Sequence, residues 1–233
     1  MINVTTSFTQ DSRDSYFHKS LGGYHGAKLK KTQELYDSQL ITQDGQLNMQ
    51  VLNMLNTKYL ITNGTNGPAA QPNPGALGNA WFIDTLKVVS TADEELTALG
   101  DFRAATTAIT QQNQGLAAGT YAPDSTEVIR LTAYEPNRLV YSSETKRPQF
   151  AVFSEIYYRG NKDWKSYVDG KETPHQKVNY VLRGMEIPAG KHEIVFEFRP
   201  AAVEKGKTLD LIASLALILL GIAAVYARVK NKE

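Results

Sequence analysis

The sequence predicts an α+β chain: a mainly antiparallel β-sandwich or jelly-roll-like domain, with N-terminal helices and one C-terminal transmembrane helix. Three observations lead there. From Ser125 onward, six segments rich in Val, Ile, Tyr and Phe recur between turn signals at roughly ten-residue spacing. Ahead of them, residues 27–41 and 47–55 carry apolar side chains at helical spacing. Near the end, Leu211 to Ala227 runs for 17 residues without a charge.

The elements follow in chain order. Residues 1–62 form a helical and turn-rich segment. Within it, Leu29, Tyr36 and Leu40 fall near one helical face, with Lys30 and Glu34 four apart. Val51, Leu52 and Leu55 mark a second short helix, and Lys58 to Thr62 reads as a strand. Residues 63–80 read as a loop, because Asn63 to Gly78 holds four Gly and three Pro. Residues 81–200 are the sandwich domain. Trp81 to Val89 opens it as a strand, and Thr91–Glu94 has capping-box spacing at the start of a helix to about Leu99. Residues 111–125 are Gln-, Gly- and Ala-rich and read as a loop. VIRLTAY, RLVYSSE, QFAVFSEIYY, KSYVDG, KVNYVLRG and HEIVFEFRP then read as strands, with Pro136-Asn137, Asp169-Gly170 and Pro188-Ala189-Gly190 at turns. Phe150, Val152, Ile156, Val181, Ile194, Phe196 and Phe198 are the expected inward-facing residues.

Residues 201–210 form a linker, 211–227 the membrane span and 228–233 a cytoplasmic tail. At about 1.5 Å per residue the apolar run reaches roughly 25 Å, the short end of a crossing helix. It is apolar all round, and Lys205, Lys207, Arg228, Lys230 and Lys232 flank it, where long cationic stems can snorkel. With Arg199 counted beside Lys205 and Lys207, three cations stand on each side, so the count leaves orientation even; their closer packing after the helix favours a cytoplasmic C-terminus. Met1 to Thr6 has neither a basic nor an apolar region of a signal peptide. The chain is therefore expected to be either tail-anchored or the C-terminal piece of a larger membrane protein.

Composition excludes several chemistries. Lys plus Arg is 25 and Asp plus Glu 24, a net charge of +1 with no electrostatic footprint for nucleic acid, so no nucleic-acid partner is expected. Without cysteine there is no disulfide, thiolate metal site or thiol nucleophile. No His spacing signals a metal, no Gly-rich loop signals a nucleotide and no nucleophile motif appears. No cofactor and no catalytic residue are assigned. The stretch SYFHKSLGGYHGAK concentrates hydrogen-bonding groups, and His18, Lys19, Tyr24, His25 and Lys28 are the candidate ligand-binding residues. Gly22 and Gly23 allow close backbone approach, and a helix begins just beyond, so an anion or a sugar could be held there. The competing reading is a structural turn with packed aromatics and solvated charges. Glu155 could bind sugar hydroxyls or act as an acid or base, and equally could be a strand-edge charge or a salt-bridge partner. Trp164 and Tyr167 could stack on a sugar or close one end of the core.

SYFHKSLGGYHGAKLKKTQEL, VLNMLNTKYLI and NPGALGNAWFI, followed by FSEIYYRGNKDWKSYVDGKE, VNYVLRGMEIPAGKHEIVFEFRP and one closing apolar helix, resemble the C-terminal half of Bacteroidetes members of the bacterial membrane protein YfhO family. The resemblance covers nearly the whole chain. It implies a polytopic inner-membrane protein, similar to C-type glycosyltransferases that use lipid-linked sugars outside the cytoplasm. It also implies that the body faces the extracytoplasmic side, with the lipid bilayer, upstream membrane helices, and a lipid-linked sugar or envelope polymer as partners. In such enzymes the catalytic acid lies in an early external loop, so no catalytic residue is carried onto this chain. The alternative function is a non-enzymatic, membrane-anchored binding or structural domain.

Overall fold

A computed structural model describes residues 1–230 apart from His25, Gln43 and Arg159. In chain order the elements are β1 (Ile2–Asn3), α1 (Arg13–Phe17), α2 (Lys30–Gln39), α3 (Met49–Met54), β2 (Tyr59–Gly64), β3 (Gly67–Pro72), β4 (Ala80–Phe82), β5 (Thr85–Val89) and α4 (Ala92–Ala98). There follow β6 (Thr107–Gln111), β7 (Gly119–Thr120), β8 (Val128–Glu135), β9 (Arg138–Thr145), β10 (Gln149–Ile156), β11 (Trp164–Val168) and β12 (Lys171–Glu172). The last are β13 (Gln176–Val178), β14 (Leu182–Ile187), β15 (Gly190–Phe198) and α5 (Ala201–Lys230). The chain is α+β and mainly antiparallel, with one apolar C-terminal helix, as the sequence predicts.

Two antiparallel sheets build the body, one ordered β13-β14-β10-β4 and the other β12-β11-β15-β9-β8. Alternation along β10 explains their packing. Ala151 and Phe153 join Leu139, Tyr141, Met185, Ile194 and Phe196 in one apolar cluster between the two sheets. Phe150 and Val152 point the other way, into a cluster with Leu35, Val51, Met54, Leu86, Leu99 and Ile109. The second cluster joins the four-stranded sheet to the helices and to the small β6-β5-β7 sheet. A strand covered on both faces has no polar side, which is why Gln149 to Phe153 is buried throughout.

Of the expected core residues, Phe150, Val152, Val181, Ile194 and Phe196 are buried, whereas Ile156 and Phe198 are half-buried at one end of the sheets. Other differences have local causes. Residues 63–72, read as loop, include the end of β2 and all of β3, a hairpin with Asn63 opposite Pro68 and Tyr59 opposite Pro72. Its Pro-rich arm is an exposed edge strand, where a missing N–H is tolerated; the composition reports lack of burial, not lack of pairing. Trp81 to Val89 breaks at Ile83-Asp84, so that β4 and β5 enter different sheets. KVNYVLRG is a hairpin, because Asn179 (φ 48°) and Tyr180 (φ 69°) adopt left-handed conformations and reverse the chain. The segment 111–125 contains β7, and β6 pairs in parallel with β5. Residues 201–210, read as a linker, are helical and continuous with the apolar run. The Pro200 carbonyl accepts from Val203 and Glu204, and solvated charges on this stretch do not oppose a helix.

Helix α4 is capped as its sequence indicates: Thr91 Oγ1 accepts from the Glu94 N–H at 3.1 Å, and the Glu94 carboxylate accepts from the Ser90 N–H at 2.8 Å. Helix α5 is long and apolar enough to cross a membrane, and none of its apolar window is covered by the body.

Phe196 sits fully buried with its ring centroid 4.9 Å from that of Phe153. Phe196→Ala should therefore lower unfolding free energy by about 3–5 kcal/mol, through lost transfer and the cavity left behind. Urea denaturation of the chain checks this; an unchanged midpoint would contradict the packing of the two sheets.

Candidate functional site

Chain direction brings one end of both sheets to the start of α5. Strand β15 ends at Phe198, with only Arg199 and Pro200 before the helix. Trp164, the first residue of β11, pairs with Phe198, ring centroids 5.3 Å apart. Ile156, at the end of β10, lies opposite Leu182 at the start of β14. Next to Leu182, the buried Arg183 guanidinium lies 4.2 Å from the Trp164 ring centroid and so joins the two sheets. The β13–β14 turn therefore belongs to the end from which α5 departs.

A cleft opens here between the first turn of α2 and the ends of β10 and β14. Two adjoining cavities, about 320 and 220 Å³, share Leu29, Thr32 and Ile156. Gly22, Gly23, Lys28 and Tyr36 line the larger; Lys31, Tyr157, Tyr158 and Tyr180 line the smaller. Gly22 is required: a Cβ there would stand 2.2 Å from the Phe8 carbonyl oxygen. Tyr36 donates to the Leu21 carbonyl at 3.2 Å, and burial pushes its hydroxyl pKa up to about 12.

The electrostatics of the cleft are cationic. Helix α2 begins at Leu29 without a capping side chain, leaving first-turn N–H groups to other acceptors. Lys28, Lys30 and Lys31 surround that start. Lys30 is 3.5 Å from Glu34, Lys31 lies 4.8 Å from the Tyr180 ring centroid, and Lys28 donates to the Thr9 carbonyl at 2.9 Å. Tyr180 Oη donates to Glu34 at 2.6 Å, which holds that carboxyl below its ordinary pKa. Thr32 Oγ1 is buried without a hydrogen-bond partner. Cations and free N–H groups suit an anion, and tyrosine faces with polar tips suit a ring carrying hydroxyls.

The position of Tyr180 depends on Glu95. This carboxylate of α4 is fully buried. It accepts from the Tyr180 N–H at 2.8 Å and from Gln111 Nε2 at 2.5 Å, and it pairs with the buried Lys177 ammonium. Burial pushes the Lys177 pKa down, and the adjacent Glu95 charge opposes that shift. Asn179 adds a second clamp, donating its N–H to the Ile109 carbonyl at 2.7 Å and accepting from the Ile109 N–H at 2.8 Å.

The five expected ligand-binding residues are not gathered around one cavity. Of those described, Lys28 alone lines the cleft. His18 is exposed beyond α1, its N–H donating to the Asp14 carbonyl at 2.9 Å. Lys19 lies 3.8 Å from the Tyr134 ring centroid, and Tyr24 is exposed. His25 lies outside the described residues. Sequence reasoning missed Lys31, Tyr157, Tyr158 and Tyr180. The lysine cluster at a helix start was a usable signal for the first; Tyr180 carried none, since only the left-handed turn brings it to α2.

Glu155 is half-buried, its carboxyl pKa raised by burial against the opposing charges of Arg183 and Lys19. Arg183 donates through Nε and Nη2 to the Ile156 carbonyl, both at 3.1 Å, and burial lowers its pKa to about 10. Arg183 Nη1, Tyr141 Oη and His175 Nε2 are buried without partners. Burial lowers the His175 pKa to about 3, so its ring is neutral at physiological pH. Trp164, between Phe198 and Arg183, closes the end of the core.

Fold and site together define a mainly antiparallel two-sheet body whose last strand leads directly into a helix able to span a bilayer, with a cationic, tyrosine-walled cleft at that end. The family model described as "Bacterial membrane protein YfhO" matches residues 95–209, just under half of the chain, and over that stretch the chain is similar to this family of membrane proteins. The match begins at the buried Glu95 and contains Tyr180, while the lysines of α2 precede it. No curated protein and no solved structure gives a match.

Removing the Glu95 carboxylate would strand the Lys177 ammonium in the interior. Glu95→Ala should cost about 3–5 kcal/mol, the range for breaking a buried ion pair from one side. Denaturant unfolding checks this, and a cost below about 1 kcal/mol would show that the pair does not anchor the turn.

Proposed function

We propose that the chain is the extracytoplasmic body and last membrane helix of a polytopic inner-membrane protein that takes part in cell-envelope glycosylation with a lipid-linked sugar. In this reading the cleft at the start of α2 holds the anionic, hydroxyl-rich part of that lipid or of the acceptor polymer, beside the membrane to which the lipid is confined. The observation that carries it is the position of a cleft with Lys28, Lys30 and Lys31 on one wall and Tyr157, Tyr158 and Tyr180 on the other, at the end of the body from which the membrane helix departs. The chain's own residues bind and orient; the catalytic acid is assigned to an upstream loop. The similarity of residues 95–209 to a family of membrane proteins supports a membrane setting for such a site.

A second reading, a non-enzymatic anchored binding or structural domain, draws on the way cations of this region are used internally. Lys19 rests on Tyr134, and Lys28 is bonded to the Thr9 carbonyl. His25→Ala with Lys28→Ala in the full-length protein separates the two. The binding role requires near-normal protein level with sugar transfer to the envelope polymer lost; normal transfer rejects it.

Orientation has its own test. Asn66 is exposed at the tip of the β2–β3 hairpin, and the chain contains no cysteine. In the full-length protein, a single cysteine at Asn66 should react with a membrane-impermeant maleimide in whole cells with a permeabilised outer membrane. Labelling only after lysis would place the body in the cytoplasm.

A further inference from the structure

We propose that the end of the body from which α5 leaves is a membrane-interface surface that rests on anionic lipid headgroups. This surface needs only that α5 crosses the bilayer, and it stands whether or not the cleft takes a glycan.

The first observation is where the uncovered apolar surface lies. Outside α5, the most exposed large apolar side chains are Tyr16 (82%), Phe17 (74%) and Tyr24 (68%). All three fall in one short stretch of chain. That stretch is tied to the α5 end twice: Lys19 lies over Tyr134 near the end of β8, and the following residues Lys28 and Leu29 border the cleft beside Ile156. Leu29, Tyr134 and Tyr158 are also exposed at this end. Aromatic side chains with polar tips are the type enriched where protein meets headgroups.

Charge is the second observation. Among the described residues, Lys19, Lys28 and Lys31 have no carboxylate at ion-pair distance. Of the carboxylates at this end, Glu34 is bonded to Tyr180 and paired with Lys30, and Glu197 is paired with Arg138 at 3.6 Å and Arg199 at 2.9 Å, while Glu135 and Glu155 have no ion pair among the described residues. Lysines without a carboxylate partner, interleaved with exposed aromatics, match an anionic lipid surface.

Covalent geometry is the third. The apolar run covers about 25 Å of a hydrocarbon layer about 30 Å thick, so the layer extends to about Leu209. From there to Ala201 the helix rises about 12 Å, of which the interfacial layer occupies roughly 5–8 Å. The remaining gap is about one side chain. On this arithmetic Lys205 and Lys207 fall within the interfacial layer, and a gap of one side chain is one that aromatic and lysine side chains at this end can bridge.

The test uses the whole chain reconstituted in vesicles of phosphatidylglycerol and phosphatidylcholine. A polarity-sensitive fluorophore is placed on a single cysteine, either His18→Cys at this end or Lys171→Cys in the β11–β12 hairpin at the opposite end. The expected result is a blue-shifted His18 label, quenched several-fold more strongly by lipids carrying a nitroxide near the headgroup than the Lys171 label. Adding Lys19→Glu, Lys28→Glu and Lys31→Glu should reduce quenching to the Lys171 level while the circular-dichroism spectrum stays that of the folded chain. Equal quenching at the two sites overturns the proposal. So does quenching that is the same in pure phosphatidylcholine, or a blue shift that follows protein-to-lipid ratio instead of lipid type, which would mark contact between copies.

Discussion

The buried carboxylate of Glu95 is the constraint on which the rest of the arrangement depends. A charge without water must be surrounded by donors, and here the donors come from three parts of the chain: Gln111 in β6, Lys177 in β13 and the Tyr180 N–H in the following turn. Satisfying one side chain therefore brings α4, the small parallel pair and the central sheet together. It also stabilises a left-handed pair, Asn179 and Tyr180, that the turn alone would not favour.

That local requirement propagates to the cleft. With the Tyr180 backbone held, its ring stands beside α2, where its hydroxyl donates to Glu34 and its face receives Lys31. The first turn of α2 then lies over Ile156, and the cavities form on either side of Leu29 and Thr32. A buried ion pair is weak evidence of net stability, because desolvation offsets much of the attraction. Its consequence here is geometric: it selects one turn and one position for the tyrosine.

Strand direction supplies the second constraint. Because β15 leads into α5 with two residues between, the end of the sheets and the start of a helix able to cross a bilayer cannot be far apart. The short connection from β10 to β11 and the Arg183–Trp164 contact bring the four-stranded sheet to the same end. A cationic cleft, exposed aromatics and the departing helix thus share one pole of the body.

The sequence by itself determined the α+β class, a closing helix long and apolar enough to cross a membrane, the capped α4 and most of the strands after Ser125, because each is written in local pattern: period-two alternation, a charge-free run, capping-box spacing. It also identified Phe150, Val152, Val181, Ile194 and Phe196 as core, and Lys28 as a residue of the candidate site. It could not reveal that 63–72 forms a hairpin, since an exposed edge strand has no apolar face to betray it. Nor could it show that KVNYVLRG reverses direction, since the left-handed turn is held by Glu95 and Ile109, distant in sequence. Only the tertiary structure decided that Lys31, Tyr157, Tyr158 and Tyr180 line one cleft. Their proximity arises from long-range hydrogen bonds and from the direction in which strands enter their sheets, and neither leaves a trace in the spacing of residues along the chain.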